Sequence, residues 1–302
     1  MKNKKQRPLP DFIGIGAQRC GTSWLYRRLG EHPELWLPPI KEIHFFNDLR
    51  DDVSLHREKI QKDLRHRYRA YASPKAVPKV KQPNLAWDFN YFLRPKSISW
   101  YKSLFVQGVG KVAGEITPAY MMLSKDVVEK IYALNSKLKI IFVMRDPVDR
   151  VWSAAVRSFI TNHERRLHDV SEEELINFAR KRGTVLRTDY LRTLSVWESF
   201  FPAEQLHIDF FDNIQENPEE VLVRIFNFLG VEESTKYMLV DLRKKIASST
   251  QKAKIEIPNA LSYEVCAQNI EQLEKLSERF GGHTSKWLAK AEKALKSNNG
   301  EF

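Results

Sequence analysis

Residues 12–29 read FIGIGAQRCGTSWLYRRL: a short apolar run, a turn bearing Gly16 and Gly21, and the opening of an amphipathic helix. A strand, a tight glycine turn and a helix in that order bring backbone N–H groups and the positive end of a helix dipole to one point, where they cradle an anion. Gly16, four residues, Gly21, Thr22 and Ser23 reproduce most of the loop that holds nucleoside triphosphates. The lysine that such a loop aims at the β- and γ-phosphates is missing, and Thr22 fills its slot. The cation stands instead at Arg19, ahead of the second glycine. The loop suits a phosphate, but not the far end of a triphosphate.

Beyond this unit, strand-like and helix-like segments alternate. Residues 34–46 give a short apolar piece, a Pro38-Pro39 break and KEIHFF, and residues 47–97 read as polar, irregular and proline-bearing. The pattern then predicts a helix over 99–105, a strand over 111–116, a helix over 124–135 and a strand over 139–144. The last of these, KIIFVM, is a continuous apolar run suited to burial on both faces. A helix over 147–161 opens on Pro147, and a further helix, strand and helix cover 189–200, 205–211 and 218–229, the last closed by Gly230. Such alternation implies an α/β fold, P-loop-like, with a central and mainly parallel sheet flanked by helices. Ligands in that class bind beyond the carboxyl ends of the strands, where Arg19 and Arg145 both fall.

The 302 residues are 42% hydrophobic and 29% charged, enough to bury a sizeable core in one domain. We expect a basic tail over 1–10, an acceptor-side excursion over 47–97 and C-terminal helices over 261–296. No apolar run approaches the roughly 20 residues that span a bilayer. The opening MKNKKQRPLPD lacks the apolar segment of a signal peptide. Cys20 and Cys266 make no disulfide framework, so a reducing, cytoplasmic location is expected. The net charge of +11 points to anionic partners. It is densest over 2–7 and over 65–81, RHRYRAYASPKAVPKVK, which lacks helical periodicity and reads as a surface excursion.

Two further segments carry chemistry. In RDPVDRVWS, residues 145–153, Arg145 ends the apolar strand and Ser153 lies two turns into the next helix. A guanidinium there grips a phosphate bidentately with the hydroxyl as a further donor, or else pairs with Asp146 or Asp149. In KEIHFF, residues 41–46, alternation puts Glu42 and His44 on one face and Ile43 and Phe45 on the other. A carboxylate beside an imidazole and apolar bulk is a tuned general base, or a surface ion pair with Lys41 or Arg19. No His/Cys/Asp cluster has metal-ligand spacing.

Together these segments resemble the sulfotransferases that use 3′-phosphoadenosine 5′-phosphosulfate (PAPS), in the branch containing bacterial enzymes and the heparan sulfate N- and O-sulfotransferases. The resemblance covers roughly residues 10–230, and the order of its motifs carries it. AQRCGTSWL looks like the 5′-phosphosulfate loop, KEIHFF like the segment with the catalytic glutamate, and RDPVDRVWS like the 3′-phosphate segment. GEITPAY, residues 114–120, resembles a motif that lies between them in the glycan enzymes. Arg19 stands where those enzymes usually carry lysine, and Ile116 stands where the heparan enzymes have an active-site lysine. The vertebrate-type disulfide has no counterpart.

The resemblance implies in-line sulfuryl transfer to a hydroxyl or amine acceptor, with a glycan as the candidate, and without a metal. Glu42 would take the acceptor proton, and His44 would support it or contact the sulfuryl group. Arg19 and the N–H groups of Cys20, Gly21, Thr22 and Ser23 would hold the phosphosulfate, while Arg145 and Ser153 would bind the 3′-phosphate. Trp24 would stack on adenine or else pack in the core, and Tyr190 and Lys252 are further donor-site candidates. A P-loop kinase shares this fold but needs the lysine that Thr22 displaces. A nucleic-acid-binding protein would account for the charge, yet no groove-helix or stacking-aromatic motif is evident.

Overall fold

The computed structural model describes residues 8–47, 53–162, 166, 169–238 and 256–298. Five strands form one parallel sheet: β1 (Phe12–Gly16), β2 (Leu35–Trp36), β3 (Val112–Ile116), β4 (Lys139–Met144) and β5 (Leu206–Phe210), in the order β2-β3-β1-β4-β5. β1 is buried throughout and β4 at all but its first residue, as their unbroken apolar runs require. The chain builds β2 and β3 on one side of β1 and β4 and β5 on the other. The crevice where that order reverses lies beyond β1 and β4. A bulge between Gly14 and Gly16 in the β1–β4 register turns the chain out of the sheet toward that crevice.

The helices α1 (Thr22–Leu29), α2 (Val53–Ala72), α3 (Leu85–Leu93) and α4 (Ile98–Ser103) precede β3. α5 (Lys125–Leu134) leads to β4, and α6 (Pro147–Ala155), α7 (Glu172–Arg180), α8 (Arg182–Leu186) and α9 (Tyr190–Glu198) lie between β4 and β5. α10 (Phe211–Glu216), α11 (Pro218–Leu229), α12 (Asn259–Phe280) and α13 (Gly282–Asn298) follow. The expected strands and helices from residue 99 onward are present with ends displaced by one or two residues, and Gly230 closes α11 in the left-handed conformation. One helix differs in kind. The expected span 147–161 is α-helical only to Ala155 and continues as a π-helix over Val156–Asn162. That wider turn belongs to the site.

Residues 47–97 are not irregular: they contain the 20-residue α2 and the nine-residue α3. The face that α2 buries against α3 is polar. Arg67 grips Asp88 through Nε and Nη2 at 2.6 and 2.9 Å, and Asp63 accepts from Tyr91 Oη at 2.7 Å and from Lys59. A helix docked by ion pairs buries no apolar stripe, and its few large hydrophobic residues lie outside, so the usual pattern of an inward apolar face is inverted. Within 65–81, residues 65–72 belong to α2, and only 73–81 form the turn-rich excursion.

β1 and β3 approach closely where Phe12 pairs with Gly114, and a methyl group on Gly114 would overlap the Phe12 ring. Gly114→Ala should therefore destabilise the fold by about 1–3 kcal/mol, the usual cost of overpacking. Denaturant unfolding checks this, and an unchanged midpoint would show that the ring has room to move.

Candidate active site

The left-handed backbone at Arg19 (φ 74°) and Gly21 (φ 80°) folds the loop after β1 into a cup capped by α1. The first N–H groups of a helix have no carbonyl within it. Those of Gly21, Thr22 and Ser23 are such groups, and Gly21, Thr22 and Ser23 line a cleft of about 850 Å³. Arg19 Nε donates to Ser153 Oγ at 3.0 Å, and Arg145 Nη1 donates to the Arg19 carbonyl at 3.2 Å. The loop after β1, the end of β4 and α6 thus meet at two hydrogen bonds. Arg145 is buried, its guanidinium lies 4.6 Å from the centre of the Phe211 ring, and its Nε has no hydrogen-bond partner. Arg145 does not pair with its neighbouring carboxylates. Asp146 caps α6 by accepting from Val148 N at 2.8 Å and binds Lys290 at 2.9 Å, while Asp149 sits beside the same lysine.

Among the described residues, eight cations and one carboxylate, Glu42, line the cleft. Arg19, Lys41, Arg145 and the α2 residue Lys62 come from the elements already described, and Arg150 from α6. Arg157 on the π-helical turn, Lys181 and Arg187 complete the set. Burial lowers the Arg19 pKa, and the charges of Arg157, Arg145 and Arg150 lower it further. Arg150 is wholly buried, and its Nη2 donates to the Thr184 carbonyl at 3.1 Å and to Thr188 Oγ1 at 2.5 Å. Its Nε and Nη1 are unpartnered, as is Arg187 Nε. Buried guanidinium nitrogens without acceptors are costly unless an anion completes them.

KEIHFF is not a strand. Glu42 (φ 64°) and His44 (φ 58°) adopt left-handed backbone, uncommon for residues with a Cβ and a frequent mark of functional loops. The alternation still holds in burial, with Ile43 and Phe45 in the core and Glu42 and His44 outside it. The segment is pinned where Glu42 N donates to the Ile116 carbonyl at 3.1 Å and where the Phe45 ring stacks on Tyr101 at 4.5 Å. Tyr101 and Tyr120 each donate to buried Glu115, at 2.6 and 3.0 Å, and Thr117 donates to it at 2.7 Å. GEITPAY is therefore a buried scaffold for the glutamate loop. Ile116 packs over Gly14 in the core and presents nothing to the cleft.

A cation nonetheless reaches the loop's lysine slot from another element. Lys41 Nζ donates to Thr22 Oγ1 at 3.3 Å and to Glu42 Oε1 at 2.7 Å. Both residues of the Lys41–Glu42 pair line the cleft, the Lys41 side chain 13% exposed and that of Glu42 37%. His44 Nε2 lies 3.5 Å from Glu42 Oε2, while Nδ1 lies 3.0 Å from Asn47 Oδ1. Burial raises the Glu42 pKa, but the His44 hydrogen bond and the Lys41 charge outweigh it, and the carboxyl stands below the usual carboxylate range.

The site brings together Arg19, Gly21, Thr22, Ser23, Trp24, Glu42, Arg145 and Ser153. Cys20 lies beneath the loop, its thiol pushed up to about 11 by burial, so only its backbone belongs to the cup. His44 stands behind Glu42 rather than in the cleft wall. Tyr190 is a correction: it is fully buried and donates its hydroxyl to the Arg145 carbonyl at 2.8 Å. The aromatic that reads as a donor contact is a brace for one. Lys252 lies outside the described residues. Of 261–296, the described side chains flank the floor, with Lys290 on Asp146 and Gln272 Oε1 accepting from Tyr190 N at 3.1 Å. The sequence reading missed Lys41 as a loop cation, and Arg150, Arg157, Lys181 and Arg187. The capping box Ser171-Glu-Glu-Glu174 was the signal for α7, after which Lys181 and Arg187, the residues that flank α8, supply cations.

The profile of the Sulfotransferase family matches residues 10–235, and the chain belongs to that family. Heparan sulfate glucosamine 3-O-sulfotransferase 5 of Mus musculus is 25% identical over 230 residues, covering 74% of this chain and 54% of its own length. The 3B1 enzyme of the same organism is 25% identical over 234 residues, covering 74% and 47%. The chain thus spans about half the length of these curated relatives. A sulfotransferase from Alicyclobacillus acidocaldarius shares the fold with a TM-score of 0.59 at 22% identity, covering 93% of this chain and 99% of the other. The sulfotransferase domain of the Synechococcus PCC 7002 olefin synthase does so with a TM-score of 0.52 at 19% identity, covering 86% and 88%.

Since Lys41 is one of the influences that depress Glu42, Lys41→Met should raise the Glu42 pKa toward the ordinary value of about 4.3. The carboxylate form persists above its pKa and is lost as pH falls through it. The Glu42 midpoint in a carbon-13 carboxyl titration should therefore lie below that value in the parent and move up in the variant. An unmoved midpoint would show that the Lys41 charge is not felt.

Proposed function

We propose that the protein moves a sulfuryl group from PAPS to a hydroxyl or amine of an acceptor, by single in-line transfer. One observation carries this reading: Arg145, buried and with Nε unpartnered, shares a cleft with the Arg19–Ser153 pair and with Glu42. That arrangement offers separate places for two anionic groups of one nucleotide and a carboxylate at the other end. The cup of Gly21, Thr22 and Ser23 with Arg19 suits the 5′-phosphosulfate, and Arg145 with Ser153 suits the 3′-phosphate. Trp24, half-buried on the first turn of α1 and lining the cleft, suits the adenine.

The donor supplies an activated sulfur whose bond to the phosphate oxygen breaks as the acceptor's bond to sulfur forms. Glu42 takes the acceptor's proton as its nucleophilic atom loses its electron pair to sulfur. Arg19 and the loop N–H groups meet the negative charge that grows on the departing phosphate oxygen. Lys41 couples the two ends. An anion held at the loop competes with Glu42 for the ammonium, and a Glu42 relieved of that charge is a stronger base. The acceptor class is proposed from the relatives, whose names specify heparan sulfate glucosamine, and from the cationic cleft wall, which suits an acidic glycan.

Adenosine 3′,5′-bisphosphate should bind far more tightly than AMP, each lost charge-assisted contact costing about 1.5–3 kcal/mol, or roughly tenfold to a hundredfold. Equal affinities in calorimetry would remove the 3′-phosphate clamp and the donor assignment with it. Arg19→Ala should reduce turnover strongly while Arg19→Lys retains part of it, since the charge survives without the fork geometry. Glu42→Gln should not weaken bisphosphate binding, since it frees Lys41 for the anion, and should lower single-turnover transfer by about 10²–10⁴-fold. Normal transfer by Glu42→Gln would pass the proton to another group, with His44 the nearest.

A further inference from the structure

The helical hairpin of α2 and α3 carries an apolar surface that the catalytic reading leaves unused. Leu64, Tyr68 and Tyr71 recur at helical spacing on α2, and Leu85, Phe89 and Leu93 do so on α3. All six are exposed, Tyr68 and Leu85 to 75%, and they make up most of the exposed large hydrophobic side chains among the described residues. The helices run antiparallel, since Arg67 meets Asp88 while Asp63, one turn earlier, meets Tyr91, one turn later. In both helices the apolar row follows the pairing row in the same rotational sense, so the two rows fall on one side of the hairpin. Soluble proteins rarely leave such a surface bare without a use for it.

The charge around this face selects its occupant. From residue 64 to residue 103 there are nine lysines and arginines and a single acid, Asp88. Asp88 is committed to Arg67 and Tyr71 beneath the surface. Arg65, Arg69, Lys75 and Lys79 are exposed around the hairpin. Large apolar and aromatic side chains bordered by cations, with both acids of residues 59–103 buried, match a bilayer whose headgroups are anionic, with an apolar boundary below and negative charge above. A second copy of the chain would meet this face with the same positive charge, which opposes self-pairing.

We propose that the α2–α3 hairpin is a peripheral docking surface for anionic lipid bilayers, inserting the row of Leu64, Tyr68, Leu85, Phe89 and Leu93 among the headgroups. The opposite edge of α2 gives Lys62 to the catalytic cleft, so the docked hairpin stands between the bilayer and the cleft mouth. The inference does not depend on the sulfuryl-transfer reading.

Flotation with vesicles of phosphatidylcholine alone, and with about one third phosphatidylserine, tests it. The full chain should float with the anionic vesicles several-fold more than with the neutral ones, and less as salt rises. Tyr68→Ser/Phe89→Ser/Leu93→Ser should lower the anionic-vesicle partition by about tenfold or more, because much of the inserted apolar area is gone. Its thermal midpoint should match the parent, as exposed side chains are being exchanged. Absence of flotation, equal flotation with both vesicles, or an unaffected variant would each overturn the proposal. So would a dimer in light scattering that the variant abolishes, which would assign the face to a second copy. A variant that fails to fold is replaced by Phe89→Ser alone, read in the same assay.

Discussion

The crossing of Arg145 and Arg19 is the interaction on which the site rests. Arg145 leaves β4 and reaches the carbonyl of Arg19, and Arg19 leaves β1 and reaches Ser153 on α6. Each arginine thereby fixes the segment that the other departs from, and the two neighbouring strand ends carry one rigid pocket rather than two loops. Tyr190 secures the arrangement from below through the Arg145 carbonyl, and Lys290 secures the cap of α6 through Asp146. The sheet supplies the common level. Because β1 and β4 pair directly, their following residues emerge side by side at the crevice where the strand order reverses.

The carboxylate side of the cleft is built by a different route. Buried Glu115 holds two tyrosine hydroxyls and a threonine, the tyrosine rings pack on Phe45 and Phe46, and the aromatic pair anchors the backbone that turns Glu42 outward. Burial raises the pKa of Glu115, opposed by the three hydroxyl groups that donate to its carboxyl oxygens. Lys41 then spans from this side to Thr22. The cation that nucleotide loops carry in their own sequence is delivered here by a neighbouring element, and in that position it also controls the glutamate.

The sequence showed the phosphate cup, the parallel sheet and the three motifs because each is written locally, in a glycine spacing, an apolar run or a capping proline. The helix α2 was illegible because it docks through Arg67 and Asp63 and carries its hydrophobic residues on the outside, which inverts the usual pattern. Tyr190 read as a ligand contact since nothing local distinguishes a hydroxyl aimed at a ligand from one aimed at a carbonyl. The cations Arg150, Arg157, Lys181 and Arg187 sit on α6, on the π-helical turn and at the two ends of α8, whose convergence is a property of the tertiary fold. Glu42 and His44 alternated as expected, but through two left-handed residues rather than a strand.

Burial first, and then the neighbouring charges of Arg157, Arg145 and Arg150, lower the Arg19 pKa, a cost that an anion among them would offset. A ligand that binds only the folded state adds stability in proportion to the logarithm of its concentration over its dissociation constant. An anion seated among these arginines would therefore couple its own concentration to the stability of the fold.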